Sequence, residues 1–264
     1  MKQHNMLNIL TLVLSISYHG LAHANTDQAY TIAAQSDRSD RGFTDSKVKF
    51  TMTLRNSRGD ESLRQVEIRT MEVANEDSGD KSLVIFKTPR DISGTALLSH
   101  ANILDPDHQW LYLPALKRVK RISSANKSGP FVGSEFSYED LTAQELNKYR
   151  YEFVTTEPCG NDTCDVLLRF PKYEYSGYSK QKVWIDQRIH QVRKTEFFDR
   201  KGDLLKTLVQ DQYKQYSNAY WRSHRFEMTN HQSGKSTTLA YSDYQFKTGL
   251  VNKDFKKHVL KRVR

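Results

Sequence analysis

The chain is 264 residues long and carries 40 basic against 31 acidic side chains, a formal charge of +9. That length holds one large β domain or two small ones, and the positive balance favours anionic partners. Past the N-terminus no apolar stretch reaches the roughly 20 residues that a membrane-crossing helix needs. Residues 6–18 are an apolar run interrupted only by Asn, Thr and Ser, with Lys2 ahead of it and Ala22-His23-Ala24 behind it. A short positive start, a short greasy run and small residues at an A-x-A site read as a secretory signal; the alternative is an anchor left uncut. Cleavage after Ala24 predicts a mature domain over 25–264, beginning at Asn25, with 240 residues and a charge of +8 because Lys2 is lost. No Cys lies near the cut, so lipid attachment there is not expected. Export to the periplasm makes nucleic acid a poor partner and leaves phospholipid headgroups and acidic protein faces.

Residues 28–36 predict one short helix leading into the domain. Val48, Phe50, Met52 and Leu54 then alternate with Lys47, Lys49, Thr51 and Thr53, the period of two of a half-buried strand. Ser57-Arg58-Gly59-Asp60 reads as a hairpin turn, and Val66, Ile68 and Thr70 continue on the returning strand. After a turn over 75–80, residues 83–86 are apolar on both faces, as in a central strand, and Pro89 ends it. The same grammar recurs at 96–104, 109–113, 118–122, 149–153, 166–170, 182–186, 192–198, 204–213, 223–229 and 236–246. Residues 138–146 read as a second helix. The series amounts to about eleven strands joined by short turns, with no repeat and no linker. The expected fold is mainly β: a single strongly curved antiparallel sheet or unclosed barrel, a few short helices covering its concave apolar face.

Cys159 and Cys164 flank Gly160, Asn161 and Asp162, turn formers that bring the two sulfurs together. In an oxidising compartment a disulfide pinning a hairpin tip is expected; a metal site would need further ligands, and no His lies close in sequence. Signatures of catalysis are missing. Gly234-Lys235-Ser236-Thr237 has Thr229 where a phosphate loop needs its first glycine, so it reads as a turn. The nine His residues form no H-E-x-x-H pair, Asp105-Pro106-Asp107-His108 reads as a turn, and there is no G-x-S-x-G elbow. Glu139 and Asp140 are adjacent and point apart on a helix. No enzyme, no metal and no cofactor are expected.

Two stretches are informative. Within 107–122, Trp110 and Tyr112 face one side of a strand and Leu111 and Leu113 the other. Lys117, Arg118, Lys120 and Arg121 follow as a tight basic cluster. The cluster is either a docking patch for anionic headgroups or an acidic partner, or an edge strand kept soluble by its charges. Within 129–141, two glycines and a proline make the first half mobile, Phe131, Phe136 and Tyr138 are large apolar groups on it, and Ser137 with Asp140 makes a box-like cap. This is either a greasy lid over an open sheet or a loop whose aromatics pack the core.

The runs Phe86-Lys-Thr-Pro-Arg90, Gly94-Thr-Ala-Leu-Leu98, 110–122 and 131–141 resemble the outer membrane lipoprotein-sorting protein family. So do Tyr178-Ser-Lys180, Trp184-Ile-Asp186, Gly202 with Lys206, Trp221 and Met228-Thr-Asn230. The likeness spans nearly the whole mature chain, in order. Glu135 stands where Asp is expected in the 131–141 motif, and the Cys159/Cys164 loop is outside the family pattern. That family is similar to the LolA/LolB-like carriers, so the resemblance implies an unclosed barrel and an acyl-chain cavity. It also implies a periplasmic carrier of lipid or lipoprotein between inner and outer membrane, a monomer making transient membrane contact. An RND-type inner-membrane lipid exporter is the implied partner. No catalytic residue is carried over, and the basic residue some LolA proteins hold inside the cavity has no matched position. Candidate lipid-binding residues are Phe50, Met52, Leu54, Trp110, Tyr112, Phe131, Phe136 and Tyr138. The competing class is a non-carrier accessory subunit that regulates such a transporter, its sheet filled by its own side chains.

Overall fold

The computed structural model describes residues 17–73 and 78–263, so most of the predicted signal segment and part of the turn predicted over 75–80 lie outside the described residues. One α-helix, α1 (Ser17–Ser39), takes in the expected 28–36 and extends it at both ends. The strands follow as β1 (Asp45–Arg55), β2 (Glu61–Met71), β3 (Ser78–Thr88), β4 (Ala96–Asn102), β5 (His108–Leu113), β6 (Arg118–Ile122), β7 (Tyr149–Cys159) and β8 (Asp162–Pro171). Then come β9 (Tyr178–Asp186), β10 (Val192–Asp199), β11 (Leu204–Asp211), β12 (Lys214–Tyr216), β13 (Tyr220–Arg222), β14 (Arg225–Asn230) and β15 (Ser236–Phe246). No helix among the described residues is long and apolar enough to cross a membrane.

Thirteen strands form one sheet in the order β6-β5-β4-β3-β2-β1-β15-β14-β11-β10-β9-β8-β7, and β12 pairs with β13 apart from it. Every pairing is antiparallel, and β1 against β15 joins the two halves of the meander. The sheet does not close: β6 and β7, consecutive in the chain, are its two free edges. The expected eleven strands are thirteen because each segment read from the alternation makes a strand of its own. The β12–β13 hairpin carries no such alternation and was not foreseen.

Opposite residues of an antiparallel ladder share a face, so the register sorts the side chains. Phe50 and Met52 lie opposite Val66 and Arg64 on one flank and Tyr241 and Leu239 on the other. Val66 faces Phe86, and Val84 faces Leu97, which faces Leu111. These side chains belong to one buried cluster, the inner face of the sheet. The same face continues through Phe197, opposite Gln181, to Val183 and Ile185, where Ala29 and Ala33 of α1 pack. Leu83, Ile85, Ala96 and Leu98 point the other way, under Phe255 and Leu260 of the C-terminal segment. That is why residues 83–86 are apolar on both sides: β3 is buried on both faces.

The predicted second helix does not form. Residues 138–146 hold only a single 3-10 turn at Glu139–Leu141, and a second follows at Leu146–Lys148. The cap foreseen from Ser137 and Asp140 is made, Asp140 Oδ2 accepting the Ser137 N–H at 2.7 Å and Ser137 Oγ the Asp140 N–H at 3.2 Å. Yet the chain must run on to β7, and Glu139 is held by the loop between β8 and β9 while Asp140 is held by Lys206 and Tyr178 on the sheet. Tertiary bonds override the local helical preference.

Candidate functional site on the inner face

Because β6 and β7 are opposite edges, residues 123–148 travel from one side of the sheet to the other, across its inner face. Phe131 and Phe136 of this crossing segment insert into the cluster of Phe50, Met52 and Phe86, at 0% and 3% exposure. The Phe131 ring lies 5.5 Å from that of Phe86 and 5.6 Å, edge-on, from that of Tyr138. Burial of such a ring stabilises by about 1.5–3 kcal/mol. The tip turns sharply at Val132 and Gly133, both at positive φ (47° and 76°), which a glycine adopts without cost.

Polar side chains hold the segment on the sheet. Arg64 of β2 donates to the Val132 carbonyl and lies over the Phe86 ring; burial pulls its pKa below the usual arginine value. Thr237 of β15 accepts the Glu135 N–H at 3.0 Å, and Asn230 donates to the Glu135 carboxylate at 2.7 Å. Lys206 of β11 donates to the Glu135 carbonyl at 2.9 Å and to Asp140 at 2.6 Å, a pair whose side chains are 4% and 6% exposed. Tyr178 also donates to Asp140, at 2.7 Å, and its hydroxyl pKa is raised well above normal by burial and then by the charges of Asp140 and Glu139. Glu139 is buried but fully engaged, accepting from Tyr173 and Ser176 at 2.6 Å each and from the Gly177 N–H at 2.8 Å. Gly177 allows this approach: a Cβ there would meet Ser128 Cβ at 2.8 Å. Gln109 of β5 donates to Ser99 at 3.2 Å and to the Tyr138 carbonyl at 3.0 Å, while its buried Oε1 has no partner. Near the edges, Asp107 draws in Lys148 and Lys127, both buried.

Of the eight candidate lipid-binding residues, Phe50, Met52, Phe131 and Phe136 meet in the inner cluster, with Leu54 and Tyr138 packed at its margin. Trp110 and Tyr112 do not belong there. They lie on the outer face, against the C-terminal segment around Phe255 and Leu260. The alternation across β5 was read correctly, but the sequence does not say which face is inner. Over 129–141 the rings of Phe131 and Phe136 pack the core, so the segment lies closed over the inner face. Lys117, Arg118, Lys120 and Arg121 are all exposed on and beside edge strand β6. The expected disulfide joins Cys159 and Cys164 at the β7–β8 hairpin tip, with Cα atoms 5.7 Å apart.

Arg64, Lys206, Gln109 and Glu139 are the polar residues that sequence reading missed as parts of this site. Arg64 precedes Val66 and Ile68 at their own spacing, and Lys206 precedes Leu208 likewise. A cation in step with the inward apolar residues of a strand is the signal that could have found both. Two surface depressions, about 260 and 510 Å³, are lined mainly by charged and polar residues and lie elsewhere. One is around Lys47, Glu67 and Asp243, the other around Asn102, Asp105 and Arg121.

A family model described only as that of an uncharacterized protein matches residues 78–262. The crystal structure of an outer membrane lipoprotein-sorting protein domain from Vibrio parahaemolyticus is 50% identical, with 90% of this chain and 100% of that one covered at a TM-score of 0.87. A DUF1329 family protein from Desulfovibrio piger has the same fold at 24% identity and a TM-score of 0.84, over 89% of this chain and 99% of that one. A LolA superfamily protein from Nitrosomonas europaea follows at 21% identity and 0.69, over 88% and 98%. No curated protein matches the sequence. With an open antiparallel sheet, an inner apolar face bridged by its own chain, and 50% identity to the Vibrio domain over 90% of its length, the chain belongs to the outer membrane lipoprotein-sorting protein family and has the LolA-like fold.

Proposed function

We propose that the protein is a periplasmic carrier that holds lipid or lipoprotein acyl chains against the inner face of its sheet and passes them between the inner and outer membrane. One observation carries this reading. Among the described residues, every backbone–backbone hydrogen bond made by residues 124–147 with a partner in the chain stays within the segment or reaches only its own ends. The crossing segment is therefore held on the sheet by side chains alone, and it can swing away without unzipping a single ladder bond. An acyl chain would take its place. Burying a CH₂ group is worth about 0.8 kcal/mol, so a chain of about 14 carbons gains on the order of 10 kcal/mol. That is comparable with the loss of two buried rings and their polar contacts.

Donor and acceptor are a lipid exporter of the RND type, the anionic membrane surface or an acidic protein, met through Lys117, Arg118, Lys120 and Arg121. The N-terminal signal segment delivers the chain, which works as a monomer without catalytic chemistry. A second reading is favoured by the filled interior itself. With Phe131 and Phe136 already in place, the protein would be an accessory subunit whose sheet needs no ligand. Native mass spectrometry of protein purified from periplasm without detergent separates the two. Co-purified lipid, or uptake of a fluorescent fatty acid, is expected for the carrier. A clean apo mass with no uptake overturns it in favour of the accessory subunit.

A further inference from the structure

We infer that β6 is a docking edge for an extended acidic segment of a partner protein, which adds to the sheet as a fourteenth, terminal strand. β6 ends the thirteen-strand ladder, and among the described residues no backbone hydrogen bond engages its outer side. An open strand edge is a template for another chain. Its charges say which chain. None of Lys117, Arg118, Lys120 and Arg121 pairs with a carboxylate among the described residues; Asp107, at the head of β5, is occupied by Lys148 and Lys127.

The four cations do not lie in one plane. Lys120 and Arg118 stand opposite Leu111 and Leu113, on the inner side. Arg121 stands opposite Trp110 on the outer side, its guanidinium 3.0 Å from His108 Nδ1. A membrane surface would meet the charges of one face only. An added strand has side chains that alternate between faces, so acids along it reach Lys120 and Arg118 on one side and Arg121 on the other. A second copy of this chain cannot pair there, because β6 against β6 opposes like charges. The occupant is an acidic peptide strand.

This deepens the docking proposed above and rests on it, but the assay contains no acyl ligand, so its failure and that of the carrier reading are seen separately. The probe is a fluorescent decapeptide in which pairs of adjacent Glu alternate with pairs of Val or Thr, so that acids fall on both faces of the strand. Its control carries the same side chains with N-methylated amides, which keep the charge and remove the donors. Binding is followed by anisotropy, with phosphatidylglycerol vesicles in parallel. The acidic peptide is expected to bind at least tenfold more tightly than the methylated one. Lys120→Glu with Arg121→Glu should weaken it at least tenfold. Lys201→Glu with Lys235→Glu, an equal charge change in exposed turns, should not. Equal binding of both peptides overturns the inference, since the edge is then unused. Binding of vesicles without binding of peptide, or no binding at all, also overturns it.

Discussion

Lys206 and Asp140 are charges taken out of water, and each is the other's ionic partner. Removing one partner of a buried pair leaves an unpaired charge and costs about 3–5 kcal/mol, whereas replacing both with apolar groups of similar volume is far cheaper. Lys206→Met should therefore destabilise the fold by about that amount in urea denaturation; adding Asp140→Leu removes the stranded charge but leaves the Ser137 N–H and the Tyr178 hydroxyl without their acceptor, so it should restore only part of the loss. Two losses that simply add would show that the charges act separately. Asp80 behaves differently. Burial, with Glu72 and Asp40 nearby, raises its pKa from 3.8 to about 6, although the Val73 N–H and Arg41 pull the other way. Between about pH 4 and 6 the folded state then holds a proton that the unfolded chain has released, so stability falls as pH rises through that window. The loss is at most about 3 kcal/mol. Asp80→Asn keeps an acceptor for Val73 and should flatten the curve between pH 4.5 and 7; parallel curves for the two proteins would contradict this. None of these three roles was legible in the sequence, because the surroundings of each group come from segments far apart in the chain.

The strands were the legible elements. Phe50 and Met52 alternate with polar residues and do face inward, and residues 236–246 form the strand expected of them. Period two is a local property of a half-buried strand, so one sequence suffices to see it. The segment over 129–141 was only half legible. Its two glycines, proline and aromatics equally suit a mobile lid and a buried plug, and what decides is the set of anchors on β2, β5, β9, β11, β14 and β15. With the rings fully buried, Phe131→Ala and Phe136→Ala should each cost about 3–5 kcal/mol, read as a drop in urea midpoint. A change within about 0.5 kcal/mol, the level of an ordinary surface substitution, would mean that the rings are not packed as seen.

At the scale of the whole molecule, sequence reading reached an open curved sheet but not its closure pattern. The pairing of β1 with β15, the crossing from β6 to β7, and the C-terminal cover over Leu83 and Leu98 are long-range facts that alternation cannot carry. The crossing is the one on which the proposed function turns, because in that reading acyl chains take the place of residues 124–147 on the inner face. Glu135 and Thr237 offer a way to hold the segment in place, since the Glu135 N–H already touches the Thr237 side chain. Glu135→Cys with Thr237→Cys, in a chain whose Cys159 and Cys164 are both changed to Ser, places one bond between segment and β15. When that bond is oxidised, uptake of a fluorescent fatty acid should fall at least tenfold. Reduction should restore it, because the sheet itself is unchanged. Equal uptake in both states would show that the segment need not move, and the acyl chain would then have to enter between α1 and the sheet.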